Sequence, residues 1–403
     1  MYIKFSKILI ITVLLALVSC KDSTKKDLQE LQALNDSIKK IFAPDKRVAI
    51  YDIHIAATAD GIAITGETDQ EKGMASLIEI LETKGEKVEN HVNMLPDSSV
   101  GEWNYAVVNN SVANIRSTPK HSGELATQAI LGTSLKVLKI DGDFYLVQTP
   151  DGYISWVDHG GVTLMTVEEF KKWQNSQKVI YTKASGHVYE YMSDELYKIG
   201  DIVLGAQLKL IEDSGAFYRV SYPDKRIGYL KKSDCEFYGR WVNQLNPSGT
   251  LVELYAKDLM GSPYLWGGTS TKGMDCSGFT KTVYLMNGFV IPRDASQQIH
   301  AGKDVDPQLQ IKGLQKGDLM FFGKKATDST RQRVTHVGIW LGNEKGEFIH
   351  ASGRVKIGSV DEKSSHYDDF NTKRYLGSRR YLGEKDDLIL DLKELDNQIK
   401  IKS

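Results

Sequence analysis

Cysteine is almost absent from this chain: three residues in 403. So few cannot build a disulfide-stapled scaffold, so the fold must rest on packed cores. An excess of charge of either sign is absent as well. The chain carries 51 Lys and Arg against 52 Asp and Glu, a formal net charge of -1. That balance gives no basic field for a polyanion, no nucleic acid is expected as partner, and recognition has to come from a local site. Long apolar runs are missing beyond the first twenty residues. What is present is an ordinary globular composition, 41% hydrophobic and 26% charged. It supplies cores, argues against long disorder, and at about 150 residues per domain suggests roughly three domains or four small ones.

The first twenty residues stand apart. MYIKFSK carries two lysines, ILIITVLLALVS runs without a charge, and Cys20 follows. A basic start and a short apolar middle make a secretory signal, too short for a comfortable membrane span. LVSC resembles the bacterial lipoprotein cleavage pattern. The resemblance implies a signal peptide over 1–19, lipidation of Cys20, and a polar tether over 20–26. Of the other two thiols, Cys235 and Cys276, a mutual disulfide is not expected, because Cys276 sits in a motif that needs a free thiol.

Residues 27–100 read as a small α/β domain. DLQELQALNDSIKKIF has helical spacing, two strands flank the turn at Asp60-Gly61, MASLIEILETKG is amphipathic, and KVENHVNML is a third strand. The order faintly resembles BON-type domains of cell-envelope proteins and carries no catalytic constellation. An internal repeat follows. Leu131-Gly132 and Leu204-Gly205 stand 73 residues apart, and Phe144-Tyr145 and Phe217-Tyr218 keep that offset, as do Val147 and Val220. A constant offset over this length means two copies of one fold. Short alternating strands broken by Gly, Asp and Pro predict small β-barrels at 103–166 and 178–240. NIRSTP and the GY-x-x-W/L pattern resemble bacterial SH3-like domains. The last unit spans 245–383, with helices first and Gly-bounded strands after, an α+β layout. A charged tail covers 384–403.

The chemistry lies in that last unit. PYLWGGTSTKGMDCSGFTKTVY sets Cys276 at the start of a helix, where unpaired N–H groups favour a thiolate and can hold an oxyanion. His336 in THVGIWLG and His350 in FIHASG fall on neighbouring predicted strands. They can supply a base and a group that orients it. A metal at the two histidines lacks a third ligand at suitable spacing, and no metal or organic cofactor is expected. Arg293 and Asp318 read as structural, and Trp266 and Trp340 as packing.

The four motifs YLWGGTSTKGMDCSGFTKTVY, KGDLMFFG, THVGIWLG and FIHASG, in that order, resemble the NlpC-type papain-like cell-wall peptidases. The resemblance covers about 250–383. It implies Cys276 as nucleophile, His336 as base, His350 as the third, orienting residue, and Tyr264 at the oxyanion site. It also implies hydrolysis of the bond between γ-D-glutamate and a diamino acid in peptidoglycan stem peptides. Two SH3-like domains ahead of the catalytic unit resemble γ-D-glutamyl-L-diamino acid endopeptidases acting on recycling peptides. In those, an acid before the cysteine and groups from the first SH3-like domain recognise a free L-alanine amine. Asp275 matches the first role, and Glu124 and Tyr153 the second. Ser277 is expected to line the same pocket. The implied place is the cell envelope, lipid-anchored on the periplasmic or outer face of a bacterial membrane, and a monomer suffices. The alternatives are a wall-binding lipoprotein with a vestigial peptidase unit, and another amidase or acyltransferase on the same fold.

Overall fold

A computed structural model describes residues 28–192 and 197–395. The signal peptide, Cys20, the whole tether and the end of the charged tail lie outside the described residues. No described helix is long and apolar enough to cross a membrane. The chain divides into two compact units, one ending at Ser98 and the other beginning at Ser99.

In the first unit a helix at 28–42 precedes the hairpin Tyr51–Ala57 and Ile62–Thr68. The helix Glu71–Thr83 then returns the chain so that Val88–Met94 lies parallel to the second strand. A parallel neighbour needs such a crossover. Leu31, Ile38, Tyr51, Ile53, Ile64, Leu77 and Leu81 form its core on one side of the sheet.

The second unit opens with two seven-stranded sheets joined by the helix Val167–Gln174. Numbered within each copy, both ladders run seventh, first, fourth, fifth, sixth, second, third. Both bulge in the fourth strand, between Val137 and Lys139 and between Leu210 and Glu212. The third strands, Leu125–Ile130 and Lys198–Val203, correspond residue for residue at the 73-residue offset. The expected barrels are open in hydrogen-bonding terms: among the described residues each ladder ends on its third and seventh strands. The bulges coil the short strands without closing the series.

The rest is an α+β layer pair. Six antiparallel strands run in the order Lys303–Asp304, Tyr375–Arg380, Leu319–Lys324, Arg333–Trp340, Glu347–Ser352, Arg354–Ser359. Helices Gly249–Asp258 and Cys276–Leu285 cover one face. Phe279 and Val283 of the second helix meet Phe321, Val337, Ile339 and Ile349 in one dry cluster that also holds Cys276. Truncating a side chain such as Phe279 to alanine would cost about 3–5 kcal/mol, which measures how firmly this helix is held to the sheet.

Candidate active site

Cys276 is the first residue of its helix, and Asp275 is the N-cap, accepting from the Gly278 N–H at 2.7 Å. The thiol is buried and free. The N–H groups of Ser277 and of Val337, the residue after His336 on the neighbouring strand, act on its sulfur in favour of the thiolate. Burial nevertheless dominates, and with the nearby Asp275 charge it pushes the thiol up to about 12 against the helix start and Arg293. The helix start therefore does not by itself outweigh burial. Seven per cent exposure leaves too little water to solvate the anion, and the proton has to leave as the sulfur reacts.

The strands carrying His336 and His350 pair antiparallel with Ile339 opposite Ile349. That register puts both imidazoles on one face, with Gly338 opposite His350. A Cβ at Gly338 would stand 3.3 Å from the His350 Cβ, so its absence opens room for the ring. His336 Nε2 and His350 Nδ1 are 2.8 Å apart. Burial drives both rings toward the neutral form: His336 falls well below 6.5, helped by His350, Arg374 and Lys356, and His350 falls to about 4. With Nε2 spent in the pair, His336 has Nδ1 left for a proton.

Tyr264 lies close enough to Cys276 to feel its charge, and burial followed by that proximity raises its phenol. It therefore stays a protonated donor. Asp275 is spent more fully than expected. Its carboxylate accepts from Gly267 N–H, Gly278 N–H, Ser277 Oγ and both terminal nitrogens of Arg293. Arg293 is 1% exposed. Burial works against its charge and Asp275 outweighs that, leaving the guanidinium firmly protonated. Ser277 lies beneath this pair, its hydroxyl 3.0 Å from Arg293.

The first SH3-like domain is docked on the glycine-rich loop ahead of Cys276. Gln128 binds Thr269 and Ser270, Thr127 binds Arg293, and Asp151 pairs with Lys281 of the Cys276 helix at 2.6 Å. Gly267, at φ +80°, passes so close to Leu125 that a Cβ would meet its carbonyl oxygen at 2.2 Å. The second copy grips the same loop at the hairpin Thr269–Ser270 and Gly273–Met274: Thr271 donates to the Ala184 carbonyl, and Lys272 pairs with Asp201 while donating to Ser111 of the first copy. Glu124 is exposed and accepts from the Trp266 indole at 2.8 Å. Tyr153 is buried at the same interface, within electrostatic reach of Arg293. Trp266 is 63% exposed, not packed as expected, because the loop backbone lies against Leu125 and turns the indole outward. Trp340 is buried. A concavity of about 820 Å³ lies between the two SH3-like domains, with Leu285 and Leu392 also at its wall, and holds none of the candidate residues. Among the described residues no group of His, Cys, Asp and Glu is arranged to hold a metal.

Residues 261–380 match the NlpC/P60 family, and residues 115–161 match the bacterial dipeptidyl-peptidase Sh3 domain. A gamma-D-glutamyl-L-lysine dipeptidyl-peptidase of Bacillus cereus is 34% identical over 65% of this chain and 77% of its own. The chain belongs to the NlpC/P60 family. A second gamma-D-glutamyl-L-lysine dipeptidyl-peptidase, from Bacillus subtilis, is 26% identical over 56% of this chain and 72% of its own. The crystal structure of an NlpC/P60 family protein from Bacillus cereus superimposes with a TM-score of 0.59 at 28% identity. It covers 69% of this chain and 99% of that one. This NlpC/P60 chain is thus a hydrolase of the cysteine peptidase class. Its substrates are peptidoglycan-derived, and its action lies in the envelope or outside the cell.

Sequence reasoning read Arg293 only as structural and did not pair it with Asp275, and it missed Lys281 and Asp151, which lock the SH3-like domain to the Cys276 helix, and Asp368 behind His350. A charged residue is usually exposed, and only the three-dimensional partner shows that it is buried and paired.

Proposed function

We propose that the enzyme hydrolyses the γ-D-glutamyl–L-diamino acid bond of stem peptides whose L-alanine amine is free. The observation that carries the reading is the His336–His350 pair on strands packed against the Cys276 helix, with the first SH3-like domain docked on the loop ahead of Cys276. The relatives named above act, by their names, on γ-D-glutamyl-L-lysine.

His336 Nδ1 takes the Cys276 proton as sulfur attacks the γ-carbonyl carbon. The oxyanion is met by the Tyr264 hydroxyl and the Cys276 N–H, donors that the helix start and a raised phenol keep available. Collapse breaks the C–N bond, and His336 returns the proton to the leaving amine. Water, losing a proton to His336, then cleaves the thioester, and the thiol recovers its proton. Glu124 supplies most of the negative charge for the substrate ammonium. Asp275, already paired with Arg293, offers an oriented acceptor more than a free charge, with Tyr153 and Ser277 beside it. An ammonium brought out of water needs such partners.

The test compares L-Ala-γ-D-Glu-L-Lys with its N-acetyl form. Release of L-Ala-D-Glu from the first and at least about a hundredfold lower kcat/KM on the second is expected, the size of a lost charged hydrogen-bond set of about 3 kcal/mol. Equal rates reject the free-amine claim. We also propose lipidation of Cys20 and anchoring in the cell envelope, on the strength of LVSC. Metabolic labelling with a clickable fatty acid should mark the protein and fail on Cys20→Ser. An unlabelled natural chain rejects it.

A further inference from the structure

His350 is fully buried, and its Nε2 has no hydrogen-bond partner among the described residues. A carboxylate stands near that nitrogen: Asp368 Oδ2 is 3.8 Å away. Asp368 is well anchored. Its backbone N–H donates to Ser359, its Oδ1 caps the helix Asp369–Lys373 through the Asn371 N–H, and its Oδ2 accepts from Asn371 Nδ2 at 2.6 Å. Asn371 Oδ1 in turn accepts twice from Arg374, and Arg374 donates to Thr335, the residue before His336. The helix thus returns its hydrogen bonds to the strand that carries the base.

Two neutral imidazoles 2.8 Å apart share one proton between them, and two arrangements are possible. In one, His336 Nε2–H donates to His350 Nδ1, and the His350 proton sits on Nε2, facing Asp368. His336 Nδ1 is then bare and can act as base. In the other, His350 Nδ1–H donates to His336 Nε2. His336 Nδ1 is then protonated and useless to the thiol, and the His350 Nε2 lone pair faces a carboxylate. A carboxylate accepts only, so it favours the first arrangement. We propose that Asp368 is a positioning residue that fixes the tautomer of the His336–His350 pair and balances the positive charge passing through it when Cys276 gives up its proton. This rests on reading Cys276 and His336 as nucleophile and base. The other charged groups facing the pair, Lys356 across the strand pair from His350 and Arg374, both oppose that positive charge. Asp368 is the one group resolved as favouring it.

The test uses the full chain and needs no substrate. In ¹⁵N NMR at pH 7, His350 should be protonated at Nε2 and bare at Nδ1. A proton on His350 Nδ1 overturns the proposal. Asp368→Asn should keep the helix start, since asparagine caps about as well as aspartate, while its amide can donate to Nε2 and reverse the pair. Alkylation of Cys276 by iodoacetamide, followed peptide by peptide with buried Cys235 as internal reference, should then slow about tenfold at pH 7. Its inflection should move up by about one pH unit, the equivalent of that factor, with an unchanged melting midpoint. Alkylation at the natural rate and inflection overturns the proposal. Should Asp368→Asn not fold, the NMR result on the natural chain decides. Where hydrolysis can be followed, kcat should fall and KM hold. Failure of the natural chain to cleave γ-D-glutamyl peptides would reject the substrate reading and leave these two measurements standing.

Discussion

At the scale of single residues, the site is a resting neutral pair. Burial raises the Cys276 thiol to about 12 and lowers His350 to about 4, with His336 well under 6.5. Both shifts disfavour a thiolate–imidazolium pair before substrate arrives. The base has to be neutral to work, so the acid limb of kcat/KM should fall below pH 6.5 and activity should persist at pH 6. An inflection at or above 6.5 would contradict the burial argument. Stability follows the same groups. A histidine whose folded value is depressed binds its proton more readily when unfolded, so stability is lost as pH falls from 6.5 toward 4. For fully buried His350 the loss is on the order of 3 kcal/mol, to be read from urea unfolding at pH 7 and pH 4.

At the scale of elements, Lys272 and Lys281, nine residues apart, show which contacts matter. Lys281 reaches from the Cys276 helix to Asp151, whose side chain is 1% exposed, while the Lys272 and Asp201 side chains are 46% and 48% exposed. Removing one partner of a buried pair strands the other and costs about 3 kcal/mol, whereas an exposed pair is worth about 0–1 kcal/mol. Lys281→Met should therefore lower the melting temperature by several degrees and raise KM by loosening the docked domain that presents Tyr153. Lys272→Ala should leave both near their natural values. Similar melting curves for the two variants would show that the domain contact does not rest on the buried pair. The helices and strands themselves were legible. Gly288 closes the nucleophile helix, and the runs in GDLMFFG, THVGIWLG and FIHASG are strands. The short helix Asp369–Lys373 was not, because five residues carry no periodicity and its ends are fixed by Asp368 and Asn371 contacts.

At the scale of the molecule, the fold class and the peptidase unit were readable because repeats and glycine-bounded motifs are local signals. The docking of one domain on another was not, since it rests on buried polar contacts such as Gln128 to Thr269 and Arg293 to Asp275 that no spacing announces. The repeat has one more consequence. Ser111 and Ala184 are equivalent places in the two copies, and so are Gln128 and Asp201, all at the 73-residue offset. These four positions hold the hairpin that ends at Met274. The stretch leading to Cys276 is therefore clamped from two sides by equivalent places of a duplicated fold, so loosening either copy unsettles the approach to the thiol.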